Sequence, residues 1–214
     1  MEVDTTPSTT FSAAYDFNDA DVSIVYRQNQ SEVLASLSGP TEVPASKRLN
    51  GLVAVTIHYY LENGDPINCE DVTPFITNMI DRLKFPRAGI AINLYQMRAQ
   101  GSRLSTAINA ATLALLDSAA PLNMLAAAVD VVIDASGELY VNPSKANESQ
   151  AVAGAVVIFG ASPKGVEPVG FKSWGTIGPE FYEAAVNASE STAKETLAFF
   201  RKSMQQRLES TNTK

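Results

Sequence analysis

The order of patterns along the chain predicts an α+β fold. Three observations carry that expectation. β-Branched runs at 22–27 (VSIVYR), 32–38 (EVLASLS) and 52–60 (LVAVTIHYY) precede a helical stripe at 70–85. A strand-like run at 88–98 (AGIAINLYQMR) then leads to a second helical stripe. Further strands and a long terminal helix close the chain, with no internal repeat.

Each element has a local reason. Asn29 breaks the first two strands apart, and Gly39-Pro40 ends the second. Val72, Phe75, Ile76, Met79, Ile80 and Leu83 recur at helical spacing, with Pro74 in the first turn and Phe85-Pro86-Arg87 as the stop. Leu104, Ile108, Ala111 and Leu115 form the second stripe, whose many alanines predict close packing. LAAAVDVVID (125–134), the turn Ala135-Ser136-Gly137 and ELYVN (138–142) read as a hairpin. The polar stretch PSKANESQ reads as a connection to AVAGAVVIFG (151–160), and VGFKSW as a short edge strand. Pro179 opens a helix running to about Leu208. Residues 1–20, rich in Thr, Ser and Asp, read as a flexible lead-in, and 21–214 as one domain.

Composition narrows the function. The 214 residues are 45% apolar and 18% charged, which suits a packed globular chain. No apolar run approaches the roughly 18–20 residues that cross a bilayer, so no membrane partner is expected. The acidic, polar start lacks a secretory pattern, which predicts the cytosol or nucleus. Cys69 and His58 are the only residues of their kind, which leaves no intrachain disulfide and no Cys/His-rich metal set. His58 reads as an ordinary strand residue, and Cys69 as an inert thiol in the turn before a helix. Asp16, Asp19 and Asp21 lack the glycine and distal Glu of a calcium loop. Acids outnumber bases 23 to 16, and a net charge of −7 works against autonomous binding to nucleic acid. Any RNA contact would need a local basic patch or basic partners.

Several signatures, in this order, resemble the RNase PH family. They are SEVLASLSGPTEV (31–43), FPR (85–87), GSRLSTAINAATLALLDSAAPLNML (101–125) and the hairpin VDVVIDASGELYVNP (129–143), followed by the terminal helix. The likeness covers roughly residues 22–209, and within the family it is greatest to eukaryotic exosome core subunits. It implies the ribosomal protein S5 domain 2-like fold, a mixed sheet packed with helices. It also implies pairing with other RNase PH-like subunits in a six-membered ring. S1/KH cap subunits, associated hydrolytic nucleases and threaded single-stranded RNA would be the further partners. The expected locations are nucleus, nucleolus and cytoplasm.

Phosphorolysis needs a cationic clamp and backbone N–H groups to hold phosphate against RNA. It also needs acids for proton transfer or a divalent ion. The family places Gly-Thr-Arg before its small-residue helix. Matching Ser105-Thr106-Ala107-Ile108 to that helix puts Leu104 at the arginine position and Arg103 one residue earlier. One residue turns a helical side chain by about 100°, so Arg103 either reaches the pocket through an adjusted turn or faces solvent. Ser102 and Ser105 read as candidate caps of the helix.

On the acidic side, Asn142 stands where the first Asp would be, Glu148 near the general acid, and Gly154 where the later Asp would be. A lone Glu148 reads as a surface residue or a residual acid. These degenerate positions predict no catalysis, metal or cofactor. Arg98, Arg103, Arg87 and Arg27 are the candidate RNA contacts, each weighed against an ordinary exposed or ion-paired arginine. The expected function is a non-catalytic ring subunit supporting 3′-to-5′ RNA processing and degradation, including ribosomal RNA maturation. The alternative is an active phosphate-dependent 3′-to-5′ exoribonuclease using Arg103 and Glu148.

Overall fold

A computed structural model of the chain describes residues 9–118 and 120–212. Two sheets enclose a central helix. The first sheet contains β1 (Phe11–Tyr15), β2 (Val22–Gln28), β3 (Ser31–Glu42), β4 (Ala54–Tyr60), β5 (Pro66–Ile67) and β6 (Ala88–Arg98), in the order β1-β2-β3-β6-β4-β5. It is mixed, because β4 runs parallel to β6 while the other neighbours are antiparallel. The short helix α1 (Thr73–Met79) lies between β5 and β6 in sequence, and α2 (Arg103–Asp117) follows β6. The second sheet, wholly antiparallel, is ordered β10-β9-β7-β8. Its strands are β7 (Ala126–Asp134), β8 (Leu139–Val141), β9 (Ala151–Ser162) and β10 (Gly165–Gly175). α3 (Lys145–Gln150) joins β8 to β9, and α4 (Pro179–Asn212) ends the chain. Among the described residues no helix is long and apolar enough to cross a membrane.

The alanines of α2 make this layering possible. Every side chain from Ser105 to Leu115 is buried, because the helix is covered by both sheets. Period-two alternation divides the second sheet between two cores. Ala128, Val156 and Ile158 join the main core around α2, whereas Val129, Val131, Val157 and Phe159 meet Phe181, Ala185 and Ala193 of α4.

Several expectations are corrected. Within the supposed lead-in, Phe11–Tyr15 pairs with β2 because Phe11, Ala13 and Tyr15 alternate toward the core. Phe11 stacks on Phe199 at 5.4 Å, and the Tyr15 hydroxyl bonds Ser203 Oγ at 2.5 Å. Residues 1–8 of that stretch lie outside the described residues. Arg207 of α4 clasps the end of β1: it donates twice to Asp16 at 2.6 Å and lies 5.1 Å from the Tyr15 ring. β3 does not stop at Gly39-Pro40 but continues to Glu42 through a register shift between Ser38 and Thr41.

The helix expected over 70–85 ends at Met79. Ile80 turns extended and bridges Leu122, and the Asp81 N–H donates to the Pro121 carbonyl at 2.8 Å. Backbone pairing with the segment after α2 thus replaces the next helical turn, and Leu83 is left 72% exposed. PSKANESQ is not a plain connection, because Ser144 and Asn147 cap α3 reciprocally. β10 is an edge strand but a long one, and α4 extends to Asn212.

Candidate functional site

The turn before α2 is fixed by its backbone. Gly101 has φ +105°, and a Cβ there would run into the Pro143 carbonyl, so the position requires glycine. Its own carbonyl accepts from Ser31 Oγ at 2.5 Å, and Gln100 O accepts the Lys145 N–H at 3.0 Å. Ser102, left-handed at φ 50°, gives its hydroxyl to Pro143 O at 3.1 Å. The turn is thereby held against the segment that begins α3.

Neither serine caps α2 with its hydroxyl. Ser105 Oγ donates back to Ser102 O at 3.2 Å and accepts from Gln28 Nε2 at 3.2 Å. Carboxylates take two of the free backbone donors instead. Glu148 Oε1 accepts the Ser102 N–H at 2.8 Å, and Asp130 Oδ2 accepts the Ser105 N–H at 3.0 Å. Both placements suit the positive end of a helix dipole. Burial pushes the Asp130 carboxyl up to about 6, against the opposing pull of its bonds to Ser105 and of Arg103, while the nearby Glu148 adds to the rise.

These groups line a cleft of about 510 Å³ between α2 and the second sheet. Arg103, Leu104, Asp130, Lys145, Glu148 and Trp174 form the walls that matter here. Leu104, at the position where the resemblance implies arginine, also packs against the main core. Arg103, one residue earlier, does line the cleft. Among the described residues neither Arg103 nor Lys145 is ion-paired, whereas Lys172 holds Asp71 at 2.7 Å.

Gly154 sits in β9 opposite Trp174 of β10. A Cβ at Gly154 would meet the indole at 2.8 Å, so the tryptophan occupies the space an acidic side chain would need. Asn142 lies apart from Glu148, in a neighbouring polar groove of about 760 Å³. It is 6% exposed and left-handed at φ 49°. Its carbonyl oxygen accepts from Gln28 Nε2 at 3.0 Å, and its Nδ2 donates to Thr9 Oγ1 at 3.1 Å.

The other arginines are dispersed. Arg27 is paired with Glu32 at 3.0 Å, and Glu32 lies opposite Arg98 in the β3–β6 register. Arg87 precedes β6 and Arg98 ends it, which separates them by roughly 35 Å of strand. His58 is exposed on β4, 6.4 Å from the Tyr60 ring. Cys69 lies just before α1, where it donates to Ile67 O and burial pushes its thiol up.

Sequence reasoning missed Asp130, Lys145, Lys172 and Trp174. Asp130 offered a signal, an acid in the middle of the apolar run AAAVDVVI. Only strand register shows that it meets the start of α2.

No family model matches the chain. It is 28% identical over 134 residues to an exosome complex component RRP46 homolog of Caenorhabditis elegans, covering 61% of this chain and 62% of that protein. The match therefore spans a little under two thirds of that relative's length. The structure of rice (Oryza sativa) Rrp46 superposes with a TM-score of 0.83 at 22% identity, over 94% of this chain and 97% of the other. An archaeal exosome core chain gives 0.71 at 12% identity, covering 90% and 86%. A chain of the Archaeoglobus fulgidus exosome with RNA bound to the active site gives 0.71 at 13%, covering 89% and 88%. The chain has the RNase PH-like α+β fold, and in sequence and fold it is similar to Rrp46-type exosome components.

Proposed function

We propose that this chain is a non-catalytic structural subunit of an exosome-type ring that supports 3′-to-5′ RNA processing and degradation, ribosomal RNA maturation included. The observation that carries the reading is the state of the α2 entrance. Two backbone N–H groups at this helix start, those of Ser102 and Ser105, are already taken by Glu148 and Asp130, which places two carboxylates where a phosphate would have to approach. Trp174 over Gly154 supports the same reading, since a second acid or metal ligand has no room there.

Partners in this reading are other RNase PH-like subunits in a six-membered ring, S1/KH cap subunits and attached hydrolytic nucleases, with action in nucleus, nucleolus and cytoplasm. The net charge of −7 favours more basic neighbours over self-association. Arg98, Arg103, Arg87 and Arg27 are the proposed contacts for single-stranded RNA; Arg27 is the weakest because Glu32 already neutralises it.

The test is an assay of the purified chain with 3′-hydroxyl RNA, magnesium and inorganic phosphate. No nucleoside diphosphate is expected, and tagged chain should co-purify with other ring subunits. Nucleoside diphosphate release that Arg103→Ala abolishes would establish the rival reading, a phosphorolytic exoribonuclease using Arg103 and Glu148.

A further inference from the structure

Asparagine followed by glycine is prone to spontaneous loss of its side-chain amide, because glycine has no side chain to keep the asparagine off its nitrogen. The chain contains that pair twice, at Asn50-Gly51 and at Asn63-Gly64. Both asparagines are exposed, and the two glycines take φ of +74° and +83°. Neither glycine has an atom within 4 Å of the place a Cβ would occupy. Exposure and backbone room therefore do not separate the two pairs. Hydrogen bonding does.

At Asn63-Gly64 every group the reaction needs is engaged. Asn63 Oδ1 accepts the Asp65 N–H at 3.1 Å, and Asn63 Nδ2 donates to Asp65 Oδ2 at 2.7 Å. The Gly64 N–H donates to Leu61 O at 2.9 Å. The carboxamide is thus held on Asp65, and the nitrogen it would have to meet is held on Leu61. Asn50 and Gly51 instead form the two-residue tip of a turn closed by the Leu49↔Leu52 bridge. Among the described residues neither the Asn50 carboxamide nor the Gly51 N–H has a hydrogen-bond partner.

We propose that Asn50 is a self-modification site, converting without an enzyme to aspartate and isoaspartate while Asn63 is preserved. The Gly51 nitrogen bonds to the Asn50 side-chain carbonyl carbon, the bond from that carbon to Nδ2 breaks, and ammonia leaves with the Gly51 amide proton. A five-membered cyclic imide remains. Water opens it at either carbonyl, which gives aspartate or, with the chain rerouted through the side chain, isoaspartate. Either product places a new carboxylate in a cationic neighbourhood. Arg48 is two residues away, and the Val53 N–H donates to Arg82 O at 2.8 Å, close in sequence to the exposed Lys84 and Arg87. The inference stands apart from the ring-subunit reading, since the reaction needs only this chain and water.

In the test the full chain is aged at mildly alkaline pH, which favours attack by the amide nitrogen, and sampled over time. Trypsin cutting after Arg48 and Arg82 releases residues 49–82, so fragmentation spectra score both pairs within one peptide. Asn50 should convert on the order of tenfold or more faster than Asn63, since the bonds holding Asn63-Gly64 must first be released. In denaturant the two should convert at equal rates. Asp65→Ala frees the Asn63 carboxamide and should accelerate Asn63 several-fold while Asn50 keeps its rate. On ion exchange the aged protein should develop an acidic form that coelutes with Asn50→Asp and that Asn50→Ser does not develop over the same period.

Equal rates at the two asparagines in the folded chain would overturn the proposal. So would an Asn50 that stays intact while the denatured chain converts, or an Asn63 that converts no faster in Asp65→Ala.

Discussion

Two concavities meet at Gly101, and they differ in kind. The polar groove is the larger, about 760 Å³, and most residues lining it carry amides or hydroxyls, among them Thr9, Gln28, Ser31, Asn142 and Asn147. The cleft is smaller, about 510 Å³, and carries Arg103, Lys145 and Lys172 beside Asp71, Asp130 and Glu148. Size therefore does not mark the chemically interesting side. Behind the groove, polar groups spend their bonds on one another: Gln28 is donated to by Asn109 and Tyr26, and itself donates to Ser105 and Asn142. Such a satisfied network fastens α2 to β2 and to the loop after β8. In the cleft, by contrast, Arg103 and Lys145 carry no ion pair among the described residues, and Trp174 is half exposed.

That contrast can be broken at the shared wall first. Gly101→Ala forces a side chain into the left-handed region and against Pro143, and is expected to cost about 3 kcal/mol, read as a lowered denaturant midpoint. Gln28→Leu attacks only the groove side. It strips partners from the buried Tyr26 hydroxyl and Asn109 amide and should cost about 2 kcal/mol, read as a lowered denaturant midpoint.

Asp130→Asn attacks only the cleft side, and its effect depends on pH. The folded-state carboxyl titrates near 6 against an ordinary 3.8, so the fold holds the proton more tightly than the unfolded chain. The resulting stabilisation is full below about pH 4 and is lost as pH rises through about 6. Asn keeps an acceptor for the Ser105 N–H and carries no charge. The variant should therefore match the parent at pH 4 and exceed it at pH 7.5 by on the order of 1–2 kcal/mol, the partial opening to water limiting the gain. Thermal melts at the two pH values decide this, and an unchanged pH slope would rule it out. Glu148→Gln has the smallest expected effect. Its stability change stays within about 0.5 kcal/mol, read from the denaturant midpoint.

Legibility in the sequence follows the same division. β6 and α2 were readable because burial imposes an uninterrupted apolar period on each. α1 was read too long because the stripe at 80–83 serves a backbone bridge to Leu122, a long-range pairing no local period reports. α3 has no buried residue and so no stripe, and its cap uses Asn147 where the familiar pattern has Glu or Gln. β1 was hidden by its polar composition, although Phe11, Ala13 and Tyr15 carry a faint alternation. At the site, Arg103, Glu148 and Gly154 could be named through the resemblance to the RNase PH family. Asp130 and Trp174 could not, because each matters only through a neighbour far along the chain, Ser105 and Gly154 respectively.

The complete enclosure of α2 has a consequence for how this protein tolerates change. An ordinary amphipathic helix accepts substitutions on its wet side, so its tolerance rises and falls every three to four positions. From Ser105 to Leu115 there is no wet side. A saturation library selected for folded protein should show one unbroken block of intolerance there, with small residues enforced at Ala107, Ala110, Ala111 and Ala114. α4, which leaves one face in water, should show the usual oscillation.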